Sequence, residues 1–179
     1  MSAIPSKLTE ALATLATPAI DATPFLTILE ERFGIDPAHL EDLVFIRANK
    51  RIVSVVHRDH HLPTEPRPDS VGLSFMRDDM VVPKLTTPAA MTFARYARIN
   101  VIDTSAEQCD AYLTRKTFTL SDDQVGACTS RGYVLIRHRG HGLGVGFLRS
   151  TDPGEREVQS FFPKAWSQDV TRSAFGEVE

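Results

Sequence analysis

The chain is poor in the residues that would fix its chemistry at a glance. Two cysteines in 179 residues, Cys109 and Cys128, supply neither a disulfide framework nor the paired spacing of a zinc site. They read as small buried thiols in a reducing compartment. No apolar run approaches the ~20 residues of a membrane-spanning helix. The first 24 residues, with Glu10 among them, lack the basic-then-apolar order of a secretory leader, so a cytoplasmic location and no membrane partner are expected. Excess positive charge is missing too. A net charge of −3 and a pI near 6.1 exclude a protein that coats nucleic acid over its whole surface. Any nucleic-acid site has to be a local patch.

Enzyme signatures are equally scarce. Gly142-x-Gly-x-Gly has the wrong spacing for a dinucleotide fingerprint, and no helix pattern follows it. No phosphate-binding P-loop, nucleophile elbow or zinc-protease motif is present. The His57-Arg-Asp-His-His61 cluster offers metal-type ligands, but adjacent residues on an extended chain point apart, so it reads as a solvated loop. No cofactor and no catalytic residue is expected.

What is present is patterned most strongly between Gly132 and Trp166. Tyr133-Val-Leu-Ile136 is a run of β-formers, the Arg137-His-Arg-Gly-His-Gly142 segment turns the chain, and 142–147 alternates. Strict alternation puts Leu143, Val145 and Phe147 on one strand face and Gly142, Gly144 and Gly146 on the other. Three glycines on one face imply a close approach by another body. That body is either a helix or sheet layer of the same protein or a polymer backbone. Between Arg131 and Lys164 the bases Arg131, Arg137, Arg139, Arg149, Arg156 and Lys164 outnumber the acids Asp152, Glu155 and Glu157, all three in one loop. Arg137 and Arg139, two apart on one strand, would make a two-pronged phosphate contact, and His138 and His141 flank the Gly140 turn, where they could stack or meet phosphate. Tyr133 reads as structural, and Trp166 as a core plug more readily than as a stacking platform.

Upstream, the pattern predicts a helix from Lys7 to Ala16 or a loose arm in its place. Next come a helix opened by Thr23-Pro24 and closed by Gly34, and a shorter one after Asp36-Pro37. Hairpins are expected from Leu43–Arg47 with Ile52–Val56, and from Val71–Met76 with Met80–Val82. Thr87-Pro88 opens a third helix with Met91 and Ala94 facing inward. Beyond a strand at Ile99–Ile102, Ser105 and Gln108 form a capping box. Thr117–Leu120 reads as a short strand, 121–130 as a polar connection and Val158–Phe162 as a last strand. Residues 167–179 carry little periodicity. These elements divide as 1–22, 23–97 and 98–179.

GYVLIRHRGHGLGVGFL followed by VQSFFPKAW resembles the PUA-type RNA-binding module. It is similar to the C-terminal region of RsmF-type (Sun-family) rRNA 5-methylcytosine methyltransferases, and to the small nip-seven type of ribosome-biogenesis factor. VGLSFMRDDMVVPKLTTPAAMTFA and DTSAEQCDAYLTRKTF extend the likeness over Leu43 to Trp166, and Lys164 matches the family's Pro-Lys ending, although Ala165-Trp166 departs from it. The likeness to the Pro-Lys-Leu-Thr-Thr-Pro segment is loose, and Lys84 is assigned no contact. The resemblance implies an α+β protein with an N-terminal α/β pre-PUA domain and a C-terminal PUA-like β-barrel. It implies a non-catalytic protein that binds structured RNA, with rRNA the expected target, during RNA modification or ribosome biogenesis. The expected RNA-binding set is Arg137, His138, Arg139, His141, Gly142, Gly144, Gly146, Arg149 and Lys164. The catalytic domain of the methyltransferases is absent from this chain. The alternative is a docking module that partners a separately encoded RNA methyltransferase or a ribosome-assembly protein.

Overall fold

Proline and glycine set the first boundaries. In the computed structural model, which describes residues 4–47, 49–63, 65–152 and 156–167, helix α1 (Ser6–Thr14) starts directly after Pro5. It places Leu8 and Leu12 in a buried cluster with Val44, Ile46, Val56 and Val71. Helix α2 (Thr23–Phe33) has Pro24 in its first turn and ends at Gly34, whose φ of 62° is the left-handed cap that glycine adopts without strain. Its cap lies one step earlier than expected. Ala22 is the N-cap residue, and the Asp21 carboxylate accepts from the Thr23 amide and hydroxyl instead. A 3₁₀ turn (Pro37–Leu40) follows, with the Asp36 side chain accepting from the Ala38 amide.

Four antiparallel strands then form the first sheet in sequence order: β1 (Leu43–Ile46), β2 (Ile52–His57), β3 (Leu73–Arg77) and β4 (Lys84–Leu85). The partner of β3 is Lys84–Leu85, so the strand expected at Met80–Val82 does not form. Asp78 is held by Arg47 and Asp79 by Arg77, which widens the turn, and pairing resumes only after Pro83, which has no amide hydrogen for a ladder. Val81 is left fully exposed and Val82 57% exposed.

Helix α3 (Thr87–Phe93) is capped by Thr86, whose hydroxyl accepts from the Ala89 amide and donates to the Ser74 carbonyl. Its inward residues are Ala89, Ala90 and Phe93, continued by Ala94 in the following 3₁₀ turn; Met91, expected inside, is 48% exposed. Strand β5 (Val101–Asp103) leads to α4 (Ala106–Leu113), which carries the expected Ser105–Gln108 capping box. After β6 (Phe118–Thr119), the segment expected as a polar connection contains a short helix, α5 (Asp122–Gly126), opened by a second capping box of Ser121 and Gln124. Strands β7 (Gly132–His138), β8 (His141–Leu148) and β9 (Glu157–Ser160) complete a five-stranded sheet of order β5-β7-β8-β9-β6. Only β5 and β7 pair in parallel. This sheet curls into a half-barrel whose edge strands, β5 and β6, do not pair with each other.

The molecule is therefore α+β with two sheets. One buried cluster joins Phe33, Phe75 and Ala90 to Val101, Leu135 and Val145, residues from both sheets and from helices α2 and α3. A second, behind the half-barrel, gathers Ile102, Tyr112, Val134, Ile136, Leu148 and Val158. Cys109 is buried and Cys128 half-buried, and burial raises both thiol pKa values. Among the described residues no helix is long and apolar enough to cross a membrane. Of the segment 167–179, only Ser167 lies within the described residues.

Candidate nucleic-acid interface

The β7–β8 hairpin closes over two residues, Arg139 (φ 49°) and Gly140 (φ 80°), because His138 pairs with His141. Two central residues of positive φ match the twist of the flanking strands. Arg139 therefore belongs to the turn, not to the strand, and it does not share a strand face with Arg137. The two-pronged phosphate contact is corrected on that ground.

Arg137 is committed inside the sheet. Its cross-strand neighbour in the parallel β5–β7 pair is Asp103. Nε lies 2.7 Å from Oδ1 and Nη2 2.5 Å from Oδ2, and Nη1 donates to the Ala94 carbonyl at 3.5 Å. This two-bond ion pair holds the Asp103 carboxyl below the usual aspartate range and raises the Arg137 guanidinium. His138 is half-buried, with Nδ1 2.8 Å from the Thr104 carbonyl oxygen, a group that can only accept. The proton therefore sits on Nδ1. Arg149 pairs with Glu157 at 3.5 Å, at the opposite end of β8 from the turn. Arg139, His141 and Lys164 are exposed. The expected basic cluster is thus split along the hairpin.

The three glycines are also divided. Ile136 pairs with Gly144 but Arg137 with Gly142, so Leu143 is the extra residue of a β-bulge. Strict alternation fails there. Leu143 packs on the Tyr112 cluster, whereas Val145 belongs to the cluster of Phe33 and Ala90. A β-carbon on Gly142 would lie 2.6 Å from the Ala90 carbonyl oxygen and 3.0 Å from the Met91 Cα. On Gly144 it would run into the Tyr112 hydroxyl, and on Gly146 it would lie 2.6 Å from a Val158 methyl. The close approach is made by α3, Tyr112 and Val158, within the chain. Gly144 and Gly146 are buried and Gly142 half-buried, so the missing side chains are accounted for by packing inside the chain.

The same hairpin builds a different surface. The bulge brings Tyr133 opposite Phe147, and Phe161 follows β9 on the adjoining strand position, its amide bonded to the Val145 carbonyl. The Tyr133 and Phe147 rings meet edge-on with centroids 5.4 Å apart; Phe161 stands 6.0 Å from Tyr133 and 6.5 Å from Phe147. Such spacings are those of favourable aromatic pairs. Two cations lie against the rings. Lys84 Nζ is 4.7 Å from the Phe161 centroid and 5.9 Å from that of Tyr133, and the Arg131 guanidinium is 5.7 Å from Phe147. Partial burial lowers the Lys84 pKa, and nearby Arg77 adds to the effect.

Beside the rings lies a groove of about 520 Å³, lined by Ile28, Glu31 and Phe33 of α2, by Val82 and Pro83, and by Tyr133 and Phe147. Arg32 fixes its α2 wall. Nε donates to the Tyr133 carbonyl at 3.0 Å, Nη1 to the Ser130 hydroxyl at 2.9 Å and Nη2 to the Ser130 carbonyl at 3.2 Å. The buried Asn100 side chain completes the clasp, donating to the Arg32 carbonyl at 2.7 Å and to the Thr129 hydroxyl at 2.8 Å. Tyr133 and Lys84, assigned no contact from sequence, are central here. Trp166, expected in the core, is 51% exposed with its ring tilted against Phe162.

The His57–His61 turn lies on the other sheet. Among the described residues no group of three or more histidine, cysteine or acidic side chains is placed to hold a metal ion. In comparisons with known proteins, no family model and no curated protein matches the chain.

Proposed function

We propose that the chain is a non-catalytic RNA-binding protein, built as a pre-PUA-like unit followed by a PUA-like half-barrel, and that structured RNA, with rRNA the first candidate, lies across the β7–β8–β9 face. One observation carries the reading: three aromatic rings, on β7, on β8 and just after β9, stand side by side with Lys84 and Arg131 against them. Rings supply stacking surface for bases and the cations meet phosphate, so a small patch can hold RNA on a protein of net charge −3. The exposed Arg139 and His141 at the hairpin tip and Lys164 after β9 extend the reach of the patch as phosphate contacts.

The test is titration of rRNA fragments at several salt concentrations, comparing wild type with Lys84→Gln/Arg131→Gln. Affinity falls with salt, and the double variant has a shallower slope, by about one unit for each phosphate that is no longer neutralised. A second reading, docking of a protein partner such as an RNA methyltransferase, is favoured by the exposed Met80, Val81 and Val82 beside the groove. Absence of RNA binding at low salt, with capture of a partner that Val81→Asp/Val82→Asp abolishes, selects it.

A further inference from the structure

We propose that the recess between α2 and the 82–83 segment takes an unpaired base, so that the protein selects single-stranded or bulged RNA over fully paired RNA. The inference rests on the reading of this face as an RNA surface and names the class of RNA it accepts.

Tyr133 and Phe147 do not sit on an open plateau; both are half-buried and border a groove lined also by Ile28 and Val82. A base inside a duplex has both faces stacked on its neighbours, and it cannot offer one to a recessed ring. An unpaired base can be turned out of its strand and laid in the groove, and any base suffices because each has a π-face. The groove volume of about 520 Å³ lies within the range of roughly 300–1,000 Å³ in which compact organic groups are held.

Charge favours the same occupant on balance, since Lys84 and Arg131 at the rings outnumber the one acid of the groove lining, Glu31. Lys84 and Arg131 stand at the rings rather than remote from them, where the phosphates flanking an inserted nucleotide would meet them. Arg32 is not part of that contact, since all three of its nitrogens are engaged with Ser130 and Tyr133. Its role is to hold the α2 wall in place before RNA arrives, which reduces the ordering cost of binding.

The experiment measures fluorescence anisotropy with three labelled RNAs: a short oligouridylate, a blunt duplex, and the same duplex carrying one bulged nucleotide. The proteins are the full chain, Phe147→Leu, which keeps the apolar bulk but removes the ring face, and Arg131→Gln, with melting curves to show that each is folded. The oligouridylate and the bulged duplex bind the wild type about tenfold more tightly than the blunt duplex, the scale of one stacked base. Phe147→Leu abolishes that preference, weakening the oligouridylate and the bulged duplex more than the blunt duplex, whereas Arg131→Gln weakens all three alike. Equal affinity for paired and unpaired RNA, or a preference that survives in Phe147→Leu, overturns the inference and leaves the RNA-binding reading in place. Failure to bind any of the three at low salt overturns both. Should Phe147→Leu not hold its fold, the wild-type contrast between the blunt and bulged duplexes decides alone.

Discussion

Arg137 and Asp103 are opposite one another across the parallel β5–β7 pair and share two hydrogen bonds, 2.7 and 2.5 Å long. The pair ties the half-barrel's edge strand to its centre. Because the folded state depresses the Asp103 pKa, the pair's contribution is present above the ordinary aspartate value of about 3.9 and is lost as pH falls through the lower folded value. Asp103 is 60% exposed, so solvent screening limits the effect to about 1 kcal/mol or less. Arg137→Gln is expected to lower the unfolding free energy at neutral pH by that amount, read as a fall in the urea midpoint at unchanged slope. The difference from wild type shrinks once the pH is below the folded value, and RNA affinity stays near wild type.

Gly144 and Gly140 both have positive φ, but their surroundings differ. A β-carbon at Gly144 meets the buried Tyr112 hydroxyl, whereas at Gly140 it meets nothing within 4 Å. Gly140→Ala should cost only the backbone term, about 1–2 kcal/mol. Gly144→Ala adds overpacking and should cost roughly 2–4 kcal/mol. Chemical denaturation of the two variants gives the comparison.

Much of the fold was legible because it rests on local chemistry. Pro24 with Gly34, Asp36 with Pro37, and Ser105 with Gln108 are punctuation read directly from the chain, and β7 and β8 follow from their apolar runs. The site was not legible, and one residue explains most of that. A two-residue turn at 139–140 without irregularity places Tyr133 opposite Gly146. The bulge at Leu143 shifts the register by one, sets Tyr133 against Phe147, and sends Gly142 to α3 while Gly144 and Gly146 face the opposite layer. No sequence pattern announces a bulge. Arg137 misled for a different reason: its partner Asp103 lies 34 residues earlier, on a strand joined to it only by tertiary pairing. Met80–Val82 has strand composition but no strand partner, since Asp78 and Asp79 are held by arginines.

Gln108 and Gln124, the third residues of two capping boxes, bond to each other in both directions at 3.0 and 2.8 Å, and each also reaches a backbone carbonyl, of Thr119 and Asp103 respectively. The clasp joins the starts of α4 and α5. Gln124→Ala removes the bond to the Ser121 amide as well, and a loss of about 1–2 kcal/mol is expected. A double-mutant cycle with Gln108→Ala should show a coupling of at least about 0.5 kcal/mol. Strict additivity would mean that the two caps act independently.

Helix α1 is held by side chains from one face. Leu12 is 1% exposed among Val44, Ile46, Val56 and Val71. Leu12→Ala should destabilise the protein by about 2–5 kcal/mol and open 5–16 to limited proteolysis first. A variant as protease-resistant as wild type would contradict the packing.

The central claim is that RNA lies on the aromatic face of the half-barrel, and the most direct test is to map where it touches. Titration of isotope-labelled protein with oligouridylate, followed by NMR of backbone amides and aromatic side chains, reports each position at once. The largest shifts are expected at 131–133, Phe147, Phe161 and Lys84, with smaller ones at the 139–141 turn and none at Gly144 or Gly146. Shifts confined to the 57–62 turn or to α1, with the aromatic rings unmoved, would contradict it.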